Sequence, residues 1–327
     1  SLMKDVNINT IEKAYTKIKN TIVETPLVSN KSINNRYKSS VFFKLESLQL
    51  TGSFKIRGAL NKLLELTDHQ RKSGVVAYSS GNHAQAVSYA SRLMGIESTI
   101  VMPNDAPAIK LKNTRKYGAK IVLYDRMNES REDIASKIAF DNNKTIIRPF
   151  DDEDIISGQG TAGLEITKKL LKDKITPDIF LCCCSGGGLI AGTSVYLKNF
   201  YNNLSIYCAE PEHYDDMRLS LNEGKLVTIN PKKKTICDSL TCKVAGQKTF
   251  RINKKLLSGG FVVSDDEVKE AIRFLYKEFN IIVEPGGAVP TAAFIKNQNK
   301  FIGKVVLVMV SGGNIDKKLL NSIINNE

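Results

Sequence analysis

The stretch IFLCCCSGGGLIAG, residues 179–192, indicates the fold most directly. Six apolar residues and a serine precede three consecutive glycines, and a further apolar stretch follows them. The whole span Ile179–Leu197 carries no charge and has the length of a transmembrane helix. Glycines at its centre favour a different interpretation, because they are typical of a tight turn. We therefore predict a strand, a glycine turn and a helix.

The same alternation of β-rich runs and helical stretches occurs along most of the chain. The predicted strands are, in chain order, Val75–Tyr78, Thr99–Met102, Ile121–Tyr124, Ile146–Arg148, Ile179–Cys184, Ser205–Ala209 and Val305–Val310. The helical stretches between the first four lie around Gln85–Leu93, Ala108–Tyr117 and Ser130–Phe140. Another helix is indicated by the capping box Ser264-x-x-Glu267. Strands that alternate with helices pair in parallel, through right-handed crossovers.

This pattern predicts an α/β protein built from two doubly wound parallel sheets. We assign residues 1–74 and 147–327 to a large domain and residues 75–146 to a small one. A length of 327 residues suits two domains, and 42% hydrophobic with 25% charged residues is close to the globular average. We therefore expect the chain to bury a substantial core.

The net charge of +13 raises the question of nucleic acid or acidic lipid as a partner. The basic residues are spread over predicted helical faces, for example Thr167–Lys174 and Lys269–Lys277. The one dense run, Lys232–Lys234, lacks the neighbouring aromatic side chains on which bases stack. We therefore expect a lysine-rich solvated surface that binds neither nucleic acid nor membrane.

Six cysteines are present, three of them consecutive at Cys182–Cys184, and no pair has the C-x-x-C spacing of metal or redox sites. This pattern predicts buried, reduced thiols. The first ten residues, SLMKDVNINT, contain no apolar stretch typical of a signal peptide. We expect a cytoplasmic protein, with no regulatory domain after Glu327.

Polar loops follow several of the predicted strands, where a doubly wound sheet binds its ligands. They are Ser79–His83, Ser185–Gly188, Glu210–Asp216 and Ser311–Asn314. A fifth polar cluster, Thr51–Gly58, precedes a helix. These five segments are the candidate sites.

The Ser185–Gly188 loop has the properties of a phosphate cradle. Glycines let the backbone approach closely, and the following helix offers free N–H groups with a positive dipole end. The pattern Gly186-x-Gly188-x-x-Ala191, with Glu210 at the end of the next strand, also fits a dinucleotide fingerprint. A nicotinamide-dependent oxidoreductase therefore remains an alternative, as does a glycine turn that only packs a helix.

Lys55 lies among small and hydroxyl-bearing residues at the entry to a predicted helix. An amine held there among apolar groups would have a lowered pKa and could form a Schiff base. Taken alone, Lys55 is better interpreted as one solvated lysine among many.

Four motifs together resemble the fold-type II pyridoxal-phosphate enzymes, specifically the serine/threonine dehydratase and serine racemase group. They are SFKIRGA at 53–59, SSGNHAQ at 79–85, the glycine loop at 185–188 and SGGN at 311–314. The resemblance runs from about Thr21 to Asp316. It implies that the large domain binds pyridoxal 5′-phosphate and that the small domain lies on the substrate side.

The resemblance implies a role for each motif. Lys55 would bind the cofactor covalently, with Phe54 beside it. Four residues would hold the phosphate: Ser185, Gly186, Gly187 and Gly188. Asn82 would lie beside the 3′-oxygen and Ser311 would face the pyridine nitrogen. The substrate carboxylate would be held by backbone and side-chain donors of Ser79, Ser80, Gly81, Asn82 and His83.

The residue types agree with α,β-elimination. Ser311 is a hydroxyl and cannot hold the pyridine nitrogen protonated as an aspartate would, so the ring is a weaker electron sink and elimination is favoured over transamination. Lys55 would remove the α-proton. Ser80 would lie on the opposite face, where it permits racemisation, or it only orders the loop.

The Glu210–Asp216 loop carries carboxylates suited to a hard cation. By resemblance, a Mg²⁺ or Ca²⁺ ion would be bound by Glu210, Asp216 and the backbone carbonyl of Tyr214. A solvated acidic loop is the alternative, and Glu210 is also the ribose acid of the dinucleotide interpretation.

Three positions bear on substrate preference. Ser185 stands where relatives usually have glycine, and Cys237–Ser239 replaces an Ala-Asp-Gly segment near the ring. Arg131 resembles an arginine at the substrate mouth of serine racemases, and could equally be a salt-bridge partner on a helix face.

The sequence thus predicts a homodimeric, pyridoxal-phosphate-dependent dehydratase that converts L-serine or L-threonine to a 2-keto acid and ammonia. A serine racemase with side elimination and a 3-hydroxyaspartate dehydratase, with Arg131 as partner of the second carboxylate, are alternatives within the family. A nicotinamide-dependent oxidoreductase and a non-catalytic amino-acid-binding protein are alternatives outside it.

Overall fold

The computed structural model describes residues 5–326, and two β-sheets organise it. The N-terminal part contains α1 (Ile8–Ile18), β1 (Leu27–Val28), α2 (Lys31–Tyr37), β2 (Ser40–Leu45), α3 (Lys55–Leu64) and α4 (Asp68–Ser73). Asn7 and Asn30 cap α1 and α2 with their side chains, as short polar residues at helix starts commonly do.

The four-stranded sheet is formed by a continuous part of the chain, which we call the four-stranded half. Its elements are β3 (Val75–Tyr78), α5 (Asn82–Leu93), β4 (Ser98–Pro103), α6 (Ala108–Lys116), β5 (Lys120–Tyr124), α7 (Arg131–Asn142) and β6 (Thr145–Ile146). The strand order is β5-β4-β3-β6, and every pair is parallel. The strand order reverses at β3, so the loop after β3 lies at a switch point where ligands bind.

The six-stranded sheet contains the remaining strands, and the chain around it is the six-stranded half. The elements that follow β6 are α8 (Glu153–Lys172), β7 (Ile179–Cys183), α9 (Gly188–Phe200), β8 (Ser205–Pro211), α10 (Asp216–Glu223), α11 (Gln247–Leu256), β9 (Gly259–Val263), α12 (Asp265–Phe279), α13 (Pro285–Lys296), β10 (Val305–Val310) and α14 (Lys317–Ile324). The strand order is β1-β2-β10-β7-β8-β9. All neighbours are parallel except β1, which runs antiparallel to β2.

The predicted architecture of two parallel sheets wound with helices is confirmed. The segment 179–197 folds as the predicted strand, glycine turn and helix, and the capping box before α12 is present. No helix between residues 5 and 326 is long and apolar enough to cross a bilayer. Division of the chain into two domains at residues 74/75 and 146/147 stays a prediction, and residues 1–4 and 327 lie outside the described part.

Three strands are not predicted from the sequence, and two end earlier than predicted, one of them β7, which stops at Cys183 rather than Cys184. The edge strand β1 has only two residues, which is too short for a recognisable pattern. The strand β2 lies before the alternation of strands and helices begins. The strand β9 begins with two glycines, which are rare in strands. The predicted strand Ile146–Arg148 was wrong at its end, because β6 stops at Ile146. The amide of Ile147 still donates to the carbonyl oxygen of Val76 at 2.9 Å, but Pro149 has no N–H with which to extend the ladder.

Helix α3, which begins at Lys55, packs against both halves of the molecule. Its buried residues Ile56 and Ala59 belong to the same apolar cluster as Ala84 and Val87 of α5. On its other side α3 approaches α8 so closely that a Cβ on Gly158 would lie 2.5 Å from the Cα of Gly58. These contacts fix the start of α3 in the cleft between the two sheets.

Candidate active site

A pocket opens in the cleft, at the carboxyl ends of β3, β7 and β10. The predicted site residues that line it are Phe54, Lys55, Ser79, Ser80, Asn82, His83, Arg131, Ser185, Gly186, Gly187, Gly188 and Ser311. Gly81 lies in the same loop but outside the lining. Five segments that are far apart in sequence therefore meet around one cavity, although the role of each residue stays a prediction.

Lys55 is the first residue of α3, and its side chain is half-buried in the pocket. Its Nζ donates a hydrogen bond to the carbonyl oxygen of Pro149 at 2.9 Å. Burial lowers the pKa of Lys55 to about 8, and the positive charge of Arg131 acts in the same direction. A substantial fraction of the amine is therefore neutral near physiological pH, as imine formation requires.

The Ser185–Gly188 loop connects β7 to α9, and its glycines are required by close contacts. A Cβ on Gly186 would lie 2.0 Å from the ring of Phe150. Gly187 has φ of +97°, a left-handed conformation that glycine adopts without strain. Within residues 5–326 no side chain caps the start of α9, and the amides of Gly186, Gly187 and Gly188 donate to no protein group. This cradle of free N–H groups at a helix N-terminus fits a phosphate group.

Two side chains from α11 hold the cradle from behind, and the sequence analysis missed both. Thr249 Oγ1 donates to the carbonyl oxygen of Gly186 at 2.6 Å, and Asn253 Nδ2 donates to that of Gly187 at 3.3 Å. Both residues are buried. They lie 63 and 66 positions from their partners, so no local pattern could reveal them.

Ser311 follows β10 and lies beside the Lys55 segment. Its carbonyl oxygen accepts a hydrogen bond from the amide of Phe54 at 3.1 Å, and an isolated bridge joins Ser53 to Gly312. The thiol of Cys183, also in the pocket lining, has its pKa lowered by contacts with Cys182 and then with the Ser311 hydroxyl. All six cysteines are free, and all except Cys242 are buried, so the predicted burial is confirmed, whereas the reduced state stays a prediction.

In the Ser79–His83 loop the side chains of Ser79 and Ser80 behave differently. Ser79 Oγ accepts hydrogen bonds from the amides of Gly81 at 2.9 Å and Ala84 at 3.0 Å, so it shapes the loop. Ser80 is half-buried at the pocket, and its Oγ forms no hydrogen bond within the described residues. The free hydroxyl of Ser80 is therefore available to a ligand.

The side chain of His83 has no N–H left to donate to a substrate, because its one proton is used by a backbone carbonyl. Its Nε2 lies 2.8 Å from the carbonyl oxygen of Ile147, and burial lowers its pKa to about 3. A neutral imidazole that bonds a carbonyl must carry its proton on Nε2. Nδ1 is then an acceptor, and it has no partner in the described structure. Only the backbone amide of His83 can donate to a carboxylate.

Arg131 begins α7 and reaches the pocket. Its guanidinium carbon lies 5.1 Å from the centre of the Tyr78 ring, and its Nε contacts Glu132 at 3.4 Å. Glu132 is largely exposed, so this pair is weak. Arg131 thus forms an ion pair on a helix face and also lines the pocket, so the two interpretations of this residue in the sequence do not exclude each other.

The predicted cation site lies away from the pocket, where β8 leads into α10. Glu210 is fully buried and accepts hydrogen bonds from the amides of Met217 at 2.9 Å and Arg218 at 2.8 Å. Asp216 is equally buried, and neither of its carboxylate oxygens has a partner in the described structure. Burial raises the pKa of Asp216 to about 7 and also raises that of Glu210.

Two buried carboxylates without a counter-charge fit a divalent cation. Among the described residues no three acidic, histidine or cysteine side chains cluster to hold a metal, so carbonyls or waters must complete the shell. Coordination by the Tyr214 carbonyl stays a prediction. The bonds from α10 to Glu210 also weaken the dinucleotide alternative, because this carboxylate is not free to bind a ribose.

A half-buried lysine and a glycine loop with free amides line one pocket in the cleft between two parallel sheets, and this arrangement is that of a fold-type II pyridoxal-phosphate enzyme. The chain belongs to the family described as "Pyridoxal-phosphate dependent enzyme", whose profile matches residues 18–312. This assignment confirms the resemblance found in the sequence and identifies the chain as an enzyme of the hydroxy-amino-acid dehydratase and racemase group.

Three curated relatives illustrate the range of the group. The chain is 37% identical to a serine racemase of Schizosaccharomyces pombe, over 94% of this chain and 93% of the relative. It is 36% identical to an L-threo-3-hydroxyaspartate ammonia-lyase of Saccharomyces cerevisiae, over 95% and 94%. It is 39% identical to an L-threonine dehydratase catabolic TdcB of Staphylococcus aureus, over 98% and 92%.

Solved structures agree with this placement. The maize serine racemase superposes with a TM-score of 0.91 at 34% identity, over 99% of this chain and 98% of that one. The threonine deaminase of T.th. superposes with a TM-score of 0.89 at 34% identity, over 95% and 99%. The fold and the family are therefore established over nearly the whole chain.

Proposed function

We propose that this enzyme is an ammonia-lyase that converts L-serine or L-threonine to a 2-keto acid and ammonia. The observation that carries the proposal is the pairing of Lys55, whose pKa is about 8, with the Ser185–Gly188 cradle in one pocket. When bound, pyridoxal phosphate stabilises negative charge at the substrate Cα. The chain's own residues must then bind the phosphate, move a proton at Cα and orient the substrate.

Lys55 is the residue that would move the α-proton. Its amine lies in the pocket at the start of a rigid helix, and its lowered pKa keeps a neutral base available. The cradle amides would bind the phosphate, and the Ser311 hydroxyl would face the ring nitrogen without imposing a positive charge on it. Loss of the β-hydroxyl group follows removal of the α-proton and completes the elimination.

Racemisation is the second candidate function, and Ser80 supports it. Ser80 is half-buried and lines the pocket, and its Oγ makes no hydrogen bond within the described residues. A free hydroxyl on the substrate face opposite Lys55 would exchange the α-proton there. Relatives named as racemase and as dehydratase match this chain about equally well.

Arg131 supports a third candidate substrate, 3-hydroxyaspartate. Arg131 lines the pocket, and its ion pair with the largely exposed Glu132 is weak. It can therefore bind a second substrate carboxylate, as a planar bidentate donor does well.

Keto-acid release from L-serine, L-threonine and L-threo-3-hydroxyaspartate, together with D-serine formation, tests these candidates on the same preparation. The proposal requires keto acid from L-serine or L-threonine with the highest kcat/KM. If kcat/KM is highest for 3-hydroxyaspartate, and Arg131→Leu lowers it for that substrate alone, hydroxyaspartate replaces serine and threonine as the substrate. If none of the three yields keto acid or a D-isomer, the proposed function is wrong.

We also propose a Mg²⁺ or Ca²⁺ ion at Glu210 and Asp216, a homodimer, and a cytoplasmic location. The unpartnered Asp216 carboxylate supports the ion. The free cysteines support a reducing compartment. The dimer is supported by the exposed apolar side chains of Leu48 and Ile282, which belong to one region because a Cβ on Gly313 would lie 3.2 Å from Ser47 Cβ and 2.7 Å from the Ile282 carbonyl oxygen. Light scattering of the wild type and of Leu48→Asp tests the dimer.

A further inference from the structure

Lys110 is a fully buried lysine that the proposed function does not use. It lies on α6 in the four-stranded half and is 0% exposed. Its Nζ donates to Asp238 Oδ2 at 2.6 Å and to Glu284 Oε1 at 3.0 Å. Both acids belong to the six-stranded half, since their neighbours Leu240 and Val283 lie in its main apolar cluster. We call Lys110, Asp238 and Glu284 the Lys110 cluster.

The stem of Lys110 crosses the Ser79–His83 loop on its way to the two acids. A Cβ on Gly81 would lie 2.0 Å from Lys110 Cδ and 2.8 Å from its Cβ and Cγ. Only glycine fits under this side chain. The lysine therefore packs directly on the backbone of the loop that faces the substrate side of the pocket.

The same cluster also holds the next residue of the loop. Glu284 Oε1 accepts a hydrogen bond from Asn82 Nδ2 at 2.9 Å, and Asn82 Oδ1 accepts one from Asn314 Nδ2 at 2.9 Å. Glu284 Oε2 accepts a hydrogen bond from the amide of Asn314 at 2.9 Å. One buried carboxylate thus joins Lys110, the loop and the SGGN segment that also contains Ser311.

The charges make this arrangement depend on Lys110. Asp238 and Glu284 carry two negative charges around one ammonium group. Burial raises the pKa of Glu284, Lys110 opposes that effect, and Asp238 adds to it. Without the ammonium, the buried Glu284 carboxylate would face the half-buried Asp238 carboxylate with no counter-charge, and separation of the halves is the direct way to relieve their repulsion.

We propose that Lys110 is a positioning residue, which fixes the Ser79–His83 loop and holds the four-stranded half against the six-stranded half. The proposal rests on the proposed function, because it assigns substrate binding to this loop. Lys110 itself lies outside the pocket lining. Its loss should therefore weaken substrate binding and leave the chemistry at Lys55 nearly intact.

The test compares Lys110→Met, which keeps the stem and removes the charge, with Lys112→Met as the matched control. Lys112 lies on the same helix, is exposed and has no ion pair in the described structure. We expect Lys110→Met to raise KM about tenfold or more while kcat changes less than about threefold. Hydrogen exchange of the purified holoenzyme should be about tenfold faster in the peptide covering residues 79–86 and unchanged in β7 and β8.

Asp238→Asn is the milder variant if Lys110→Met does not fold, because it keeps the contact between Lys110 and Glu284. It should change KM and exchange in the same direction by about threefold. The proposal is overturned if the folded variant matches Lys112→Met in both readouts, or if exchange rises equally throughout the chain. A wild type that releases no keto acid refutes the proposed function alone, since the exchange comparison still decides the role of Lys110.

Discussion

Replacement of Arg57 by methionine should destabilise the protein strongly, because this residue is the centre of a buried ionic network. Arg57 follows Lys55 by two positions and is 0% exposed. Its guanidinium donates to Glu46 at 2.5 and 2.9 Å, to Glu165 at 2.7 and 2.9 Å, and to Thr161 at 3.1 Å. Each of its five N–H groups is therefore used.

The size of the effect follows from the charges left behind. Lys44, which donates to Glu165 at 2.7 Å, would be the remaining cation for two buried carboxylates. Removal of one partner from such a buried set costs about 3–5 kcal/mol of unfolding free energy. With about 2.1 cal/mol/K per residue for the entropy of unfolding, that corresponds to a fall in Tm of about 4–7 °C for this chain.

Thermal unfolding of the holoenzyme and of two variants measures the difference. Arg36→Met is the matched control, because Arg36 pairs with Glu278 at 3.0 Å on the surface, with 48% of its side chain exposed. Its loss should change the unfolding free energy by less than about 1 kcal/mol. Equal Tm values for Arg57→Met and Arg36→Met would refute the reasoning that the buried network holds the start of α3.

Three further outcomes are expected. Ser80→Ala should retain most keto-acid release from L-serine or L-threonine but abolish D-serine formation, because only the substrate face opposite Lys55 loses its proton donor. If D-serine still forms, the Ser80 hydroxyl only orders the loop. Chelation should lower the Tm of the wild type, Mg²⁺ or Ca²⁺ should restore it, and the Tm of Asp216→Ala should respond to neither. An unchanged Tm of the wild type after chelation would show that Glu210 and Asp216 bind no cation. Burial lowers the pKa of Lys55 to about 8. The rate at which the apoenzyme takes up pyridoxal phosphate should therefore rise about tenfold per pH unit below pH 8 and level off above it. A pH–rate profile with its midpoint near pH 10 would contradict a buried amine.

The sequence was sufficient for the parts of the site that are encoded locally. Lys55 starts a helix within a seven-residue motif, and the cradle at Ser185–Gly188 lies between a strand and a helix that are adjacent in sequence. A glycine turn between two apolar runs is recognisable, because few other residues tolerate the required φ and the close approach of Phe150.

The supporting interactions could not be predicted, since they join distant parts of the chain. Arg57 and Glu165 are 108 positions apart, and Lys110 and Glu284 are 174 apart. In the sequence each of these is one charged residue among many on a helix. Only tertiary packing decides which charges are buried, so neither periodicity nor spacing could separate them from solvated residues. The acceptor character of His83 has the same origin, because it follows from burial and from the Ile147 carbonyl.

Reduction of the purified enzyme with borohydride, followed by peptide mapping, tests the central claim most directly. A pyridoxyl label on Lys55, with loss of the visible absorption band in Lys55→Ala, is the expected result. Borohydride fixes only an imine between the cofactor and an amine, so the label reports the covalent partner itself. A label on another lysine, or a purified protein that takes up no pyridoxal phosphate, would contradict the role of Lys55 and with it the proposed reaction.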